Sequence, residues 1–401
     1  MKVCIVSGYP PNIGRGAEST SMLVKSLAKR KMEIVILGNA APNTIREEKS
    51  GSITLERVWT PNSLKTIFSL FRAIASAKAD VFHIIFGYLY YGNPIFSAVF
   101  ITSLLISLRV LRKPVVLTIH QVFSSAEIDQ GSLSIFVSGL PRQLVKAGFH
   151  LINRILGLLS SKIVVVHKEH ANILSNEYRL SNVVYIPISL SSGSFISKDE
   201  AKRVLGLENK KPILVFGFIA PYKGVEYAIN AMPRILQSFP DALLIIAGTA
   251  VPSLSSRKET VDYIEKLKSL INDLALDDRI IMRNDYIKEM NVPNYFCSSE
   301  VIILPNTEQT GPSEVWRLST MFGVPSVATE IGYFKRDIVD GETGLLVKAG
   351  DSESIAKATM ELLTNNYLRK KICQNLENIS EIYKAKNIAR KHEKLYKGLL
   401  G

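Results

Sequence analysis

Two short stretches of this chain combine the residue types that can hold a diphosphate. One reads Phe216-Gly217-Phe218-Ile219-Ala220-Pro221-Tyr222-Lys223-Gly224, after an apolar run and before an amphipathic one. A lysine at such a strand-to-helix junction is placed to neutralise phosphate oxygens, although a solvated lysine at a helix start would look the same. The other reads Thr310-Gly311-Pro312-Ser313-Glu314, after the apolar run Val301–Leu304 and Pro305. Ser313 is of the N-cap type, and Pro312 helps to end the strand. The N–H groups of Ser313 to Val315 would then face an anion, because first-turn amides lack helical partners and the helix dipole is positive there.

Other residues could join this chemistry. Glu308 and Glu314 are the carboxylates nearest the second loop and could meet a sugar or ribose hydroxyl, or remain solvated loop acids. His120 ends the run VVLTIH, where a histidine is either structural or in contact with substrate. Near the N-terminus, Gly14-x-Gly16-x-x-Ser19 superficially suggests a dinucleotide fingerprint. The loop Gly8–Gly16 is long and proline-rich, and the second strand ends in Gly38-Asn39 with no acid to hold a ribose, so a cleft loop fits better than a nicotinamide site. Arg142, Lys146, His150 and Arg154 recur every four residues among apolar neighbours. That pattern is either a core helix with a solvated face or a helix that rests on anionic lipid. No Asp-x-Asp pair is present, so no metal is required by this reading.

These residues need strands and helices to position them. Lys2–Val6, Glu33–Leu37, Val81–Ile85, Val115–Ile119, Ile163–Val166 and Val183–Ile186 read as strands, without two-residue alternation, as expected of parallel strands covered on both faces. After a serine-rich stretch, Ser189–Ser197, a second series follows: Ile213–Phe216, Ala242–Ala247, Ile280–Met282, Val301–Leu304, Ser326–Ala328 and Leu345–Val347. Helical stretches lie between. The fold class expected is α/β, two Rossmann-like doubly wound domains facing a cleft. The expected division is 1–190, a linker at 191–211, 212–380, and a C-terminal helix at 381–401 able to cross back to the N-terminal domain.

Bulk properties narrow the class. At 401 residues the chain exceeds one ordinary core. Its net charge of +13 favours anionic partners such as nucleotide phosphates or an acidic membrane face, or gives only a basic soluble surface. The cations are spread out with no aromatic-interleaved patch, which argues against nucleic acid. Cys4, Cys297 and Cys373 are too sparse for a disulfide framework and point to a reducing, cytoplasmic compartment. The longest apolar stretch, Ile95–Val110, is short for a membrane span and reads as a buried helix.

At these residues the chain resembles a retaining glycosyltransferase of family 4, with the GT-B fold. Gly217 with Pro221, Lys223 and Gly224 resembles that family's Lys-Gly loop. Gly323-Val324-Pro325 and Asp340-Gly-Glu-Thr-Gly-Leu-Leu-Val347 resemble its closing segment. Gly16-Ala17-Glu18 resembles the tail of its N-terminal glycine loop, and His120 its histidine after the fourth strand. There are departures. Counted back from Gly323, the family's two donor-loop glutamates, eight positions apart, fall on Thr310 and Leu318, and a usual glycine is Ser313. Phe218 stands where a loop arginine is common. Leu318 cannot make the ribose contact, and the first glutamate's role falls to Thr310, Glu308 or Glu314.

The resemblance implies transfer of a sugar from a nucleotide-diphosphate donor to a glycan or lipid-linked acceptor, with anomeric retention. Catalytic residues would be Lys223, His120, Glu308 and Glu314. Donor-binding residues would be Gly16, Gly217, Lys223, Thr310, Gly311, Ser313 and Glu314. The helix carrying Arg142, Lys146, His150 and Arg154 would supply a membrane or acceptor face, with peripheral contact to anionic membrane. No cofactor and no metal are expected. Two alternatives stay open: a degenerate nucleotide-sugar-binding protein, and another enzyme on the same fold such as a sugar-nucleotide epimerase.

Overall fold

The computed structural model describes residues 1–11, 15–40, 45–63, 65–88, 90–129, 141–188, 196–250, 258–308 and 312–401. Thr310 and Gly311 therefore lie outside the described residues, as does most of the serine-rich stretch. Two compact units are formed, Met1–Ser191 with Ile382–Gly401, and Ser192–Glu381.

The first unit runs β1 (Lys2–Val6), α1 (Arg15–Ala28), β2 (Glu33–Asn39), β3 (Glu47–Ser50), β4 (Ile53–Trp59), α2 (Lys65–Ala77), β5 (Val81–Phe86), α3 (Pro94–Val110), β6 (Val115–Ile119), α4 (Ser125–Asp129), α5 (Arg142–Leu159), β7 (Lys162–Val165), α6 (Lys168–Asn176) and β8 (Val183–Tyr185). Among the described residues the sheet order is β3-β4-β2-β1-β5-β6-β7-β8, parallel except for the β3–β4 hairpin. The β-branched runs are buried from end to end because helices cover both faces. One face packs on α2, α3 and α5, through Leu70, Ile74, Ile101, Leu104 and Leu156. The other packs on α1, through Val24 and Leu27, and on the chain's last helix, through Ile388 and Tyr396. The hairpin has no expected counterpart. Glu47–Ser50 is wholly exposed and has no apolar residue, so it is a strand only by pairing with β4.

The second unit runs α7 (Lys198–Leu205), β9 (Lys211–Phe216), α8 (Val225–Ser238), β10 (Ala242–Gly248), α9 (Lys258–Asp273), β11 (Ile280–Asn284), α10 (Val292–Ser298), β12 (Val301–Leu304), α11 (Glu314–Phe322), β13 (Ser326–Thr329), α12 (Phe334–Asp337), β14 (Leu345–Val347), α13 (Ser352–Thr364) and α14 (Asn366–Ser380). The chain then closes with α15 (Ala385–Lys397), which packs beside α1 in the first unit. Residues 198–205, expected within the linker, form a helix: the Ser197 side chain caps it by accepting from Glu200 N, and Gly206 (φ +70°) ends it. The sheet order is β11-β10-β9-β12-β13-β14, all parallel. The order reverses between β9 and β12. Loops leaving the carboxyl ends of two such strands diverge and leave a crevice, the usual ligand position in doubly wound sheets.

α3 departs from expectation. It is not a buried helix: Ile95, Val99, Ile106 and Val110 are exposed while Phe100, Ile101, Leu104 and Leu108 are buried. A hydrophobic helix lying on a sheet buries only the stripe that faces it.

Candidate functional site

The loops after β9 and β12 are held as one piece. Gly224 has φ +61°, and a Cβ there would lie 2.2 Å from the Pro305 carbonyl oxygen, so only glycine allows the approach. The Tyr222 carbonyl accepts from Thr307 N at 3.0 Å. A Cβ on Gly217 (φ +107°) would meet Val315 Cγ2, in the first turn of α11, at 3.3 Å. Gly248 leans on the other side of Gly217: a Cβ there would lie 1.8 Å from the Gly217 carbonyl oxygen. Glycine at 217, 224 and 248 thus lets the two loops and the start of α11 close up at the point where the strand order reverses.

Lys223 ends a short 3-10 turn, Pro221–Lys223. Its side chain is half-buried, with Nζ 5.3 Å from the centre of the Tyr222 ring. Burial raises the Tyr222 hydroxyl above its ordinary value, so it stays protonated at neutral pH. Ser313 caps α11 by accepting from Trp316 N at 3.2 Å. By helix geometry, the amides ahead of Trp316 have no carbonyl four residues back within the helix. The start of α8 is different, because the Tyr263 hydroxyl accepts from Val225 N and donates to the Glu226 carboxylate.

The carboxylates are placed unequally. Glu308 is exposed. Glu314 accepts from Arg317 Nη1 at 2.7 Å, and Arg317 is only 2% exposed. Sequence reasoning missed this buried cation one turn into α11; the Glu-x-x-Arg spacing on a helix was its available signal. Leu318 is partly buried at the margin of the second unit's core.

In the first unit, the strand order reverses between β1 and β5. Gly16, in the first turn of α1, lies under Tyr90: a Cβ there would meet the Tyr90 hydroxyl oxygen at 2.6 Å. The Tyr90 ring also sits 5.5 Å from the half-buried His120 ring. Gly16 and His120 are thus brought to one end of the sheet, with Tyr90 as a residue that nothing in the sequence singled out. His120 also lines a cavity of about 20 Å³, room for about one water, with Thr20, Thr118 and His392. Behind it, His83 hydrogen-bonds the Tyr396 hydroxyl at 2.7 Å and the Thr118 hydroxyl at 2.6 Å.

The stripe on α5 is split by the fold. Arg142 and Arg154 are exposed, whereas Lys146 and His150 are half-buried, His150 with its ring 4.7 Å from that of Tyr178. The outward face between them is apolar, with Leu144, Leu151 and Leu158.

The chain is similar throughout its length to Anabaena Alr3699/HepE, a protein crystallised in complex with UDP-glucose. The TM-score is 0.66, over 99% of this chain and 100% of that one, at 16% identity. This likeness shows the fold, two doubly wound α/β domains of the GT-B class. Residues 197–379 match the family described as Glycosyl transferases group 1. The chain is 28% identical over 218 residues to YtcC of Bacillus subtilis (strain 168), covering 54% of this chain and 52% of that one. It is 29% identical over 162 residues to the phosphatidyl-myo-inositol mannosyltransferase of Mycobacterium leprae (strain TN), 40% of this chain and 39% of that one. The aligned stretches span about half or less of these relatives.

Proposed function

We propose that this chain transfers a sugar from a nucleotide-diphosphate donor to a glycan or lipid-linked acceptor, with retention of anomeric configuration. The observation that carries the proposal is the joining of the Lys223 loop to the loop before α11, through Gly224 against Pro305 and Tyr222 against Thr307. In this reading the second unit holds the donor. Negative charge builds on the diphosphate as the sugar leaves, so preorganised positive charge is what the site must supply. Lys223, the first-turn amides of α11 and buried Arg317 are the groups for that task. Thr310 and Gly311 complete the loop as donor contacts. Glu308 is the carboxylate free to meet a sugar hydroxyl, while Glu314 serves first to hold Arg317. His120 and Gly16, with Tyr90 above the glycine, belong to the acceptor side in the first unit. No step in this reading calls for a metal or a cofactor.

The match of residues 197–379 to group 1 glycosyl transferases supports the donor half. The UDP-glucose complex of HepE and the name of the mycobacterial mannosyltransferase support the classes of donor and acceptor. The test is incubation with radiolabelled UDP-, GDP- and ADP-sugars and a membrane extract, followed by NMR of the product linkage. Labelled product with the donor's anomeric configuration is expected. One observation favours a second reading, a binding protein that has lost transfer: Leu318 packs in apolar surroundings where the family places a ribose-binding carboxylate. Saturable donor binding with neither transfer nor hydrolysis would select that reading.

A further inference from the structure

The second unit has a cavity that donor chemistry does not use. Its volume is about 260 Å³, and the described residues that line it all belong to that unit. Ser299 and Glu300 precede β12, and Val324 and Pro325 precede β13, so the cavity lies at the amino ends of those strands. The Lys223 loop leaves the carboxyl end of β9, which runs parallel to β12. The cavity and the donor loops are therefore at opposite ends of one sheet.

Charge in this cavity is unbalanced. The Glu300 carboxylate is 8% exposed and receives three cations, Lys198 at 2.5 Å, Arg369 at 3.0 Å and Lys202 at 3.3 Å. No other acid lines the cavity among the described residues. Lys202 also donates to the Lys210 carbonyl at 2.8 Å. Lys198 and Arg369 line the cavity and are partly exposed. Arg369 donates to Glu300 through Nη1, which leaves the rest of its five-donor fork for a second anion. A structural role alone fits this group poorly. Lys198 opens α7 and Arg369 stands in the first turn of α14, where the helix dipole favours acids over bases. Burial pushes the Lys198 ammonium below its ordinary value, and Arg369 and Lys202 push it the same way against the pull of Glu300. An anion among these groups relieves the repulsion and meets both the cations and the helix starts.

We propose that this cavity binds a phosphate dianion, free or as the monoester of a small molecule, held by Lys198 and Arg369. A phosphomonoester carries about −1.5 to −2 charges at neutral pH, which matches the cations that Glu300 leaves unbalanced. Phe322, Val324 and Pro325 form an apolar wall for the organic part of an ester. The site is separate from the proposed donor site and does not depend on it.

Two thiols report on the cavity. Cys297 and Cys373 line it and are partly exposed, whereas Cys4 is fully buried in the other unit. Alkylation of the native full chain by N-ethylmaleimide is followed at each cysteine by mass spectrometry, with inorganic phosphate, a hexose phosphate or chloride at one ionic strength. No cysteine lies in 217–224 or 305–317, so phosphate at the donor loops does not shield a reporting thiol. Both phosphates should slow alkylation of Cys297 and Cys373, by about tenfold at ten times the dissociation constant, and chloride should not. Tighter protection by the hexose phosphate supports the site and marks an ester as its ligand; tighter protection by inorganic phosphate supports it and marks the free ion. K198Q/R369Q should lose the protection. E300Q removes the competing carboxylate and should bind phosphate more tightly, by on the order of tenfold, with a larger rise in melting temperature on adding phosphate than the parent shows. The two variants respond in opposite directions, so either one carries the test if the other fails to fold. Absence of protection by both phosphates in the parent, equal protection in folded K198Q/R369Q, or weaker binding in folded E300Q would overturn the proposal.

Discussion

At the scale of single residues, the proposed chemistry rests on Lys223. Lys223→Ala is expected to lower turnover by about 10²–10³, by analogy with the loss of one preorganised donor at a developing charge. The melting temperature should hardly move, because the side chain packs only in part. Steady-state kinetics with the selected nucleotide sugar measures this, and near-normal turnover would count against the assignment. Lys223 and Ser313 were legible in the sequence because loop-to-helix chemistry is local: a cap and a cation at a junction are visible in a few residues. Arg317 and Tyr90 were not. Arg317 matters because the fold buries it against Glu314, and Tyr90 because it lies over Gly16. The pairing of Arg317 with Glu314 is local to α11, but the burial of Arg317 and the placing of Tyr90 over Gly16 are tertiary.

At the scale of elements, α11 must begin where it does for its amides to face an anion. Ser313→Ala removes the acceptor of the Trp316 amide and is expected to cost about 1 kcal/mol, read by urea unfolding, together with weaker nucleotide binding. Ser313→Asp should keep the cap but weaken binding further, since it sets a carboxylate beside the phosphate. Equal nucleotide affinity in the two variants would separate the cap from the site. The parallel strands were legible because burial on both faces leaves unbroken β-branched runs, as in β5 and β10. The β3–β4 hairpin was not, because Glu47–Ser50 carries no apolar signal and depends on its partner. The closing segment Asp340–Val347, taken from the resemblance, has a local cause. Asp340 Oδ1 accepts from Leu346 N at 2.8 Å, Thr343 Oγ1 accepts from Val339 N at 2.8 Å, and Gly341 takes φ +69° to turn the chain into β14.

At the scale of the molecule, the two units should respond differently to acid. Burial holds His170 and His392 at about 4 and His83 well below its ordinary value, all three in the first unit. Their unfolded value is about 6.5, so below that pH the unfolded chain takes up protons that the folded chain refuses. The contribution of His170 and His392 is complete above about pH 6.5 and is lost as pH falls towards 4, by up to about 1.4 kcal/mol per pH unit for each, and His83 acts in the same direction. Glu56, raised by burial and by Glu47, offsets a small part. In the second unit, desolvation of Glu300 is outweighed by Lys198, Lys202 and Arg369, which hold its carboxyl below the usual range. That contribution is lost only below about pH 4.5. Hydrogen exchange between pH 7 and 5, corrected for intrinsic rates, should therefore show the first unit loosening first. Equal loosening in both units would contradict this. That the chain has two doubly wound units was legible from its length and its two strand series. That the closing helix α15 bonds β5 through Tyr396 and His83 is a tertiary fact that no local pattern announces.

The most direct test is hydrogen exchange of the full chain with and without saturating UDP, GDP or ADP. Slowed exchange over 217–224 and 313–317 with at least one of the three is expected, since those segments carry the ammonium and the amides assigned to the pyrophosphate. Saturable binding of a nucleotide that leaves both segments unchanged would contradict the assignment.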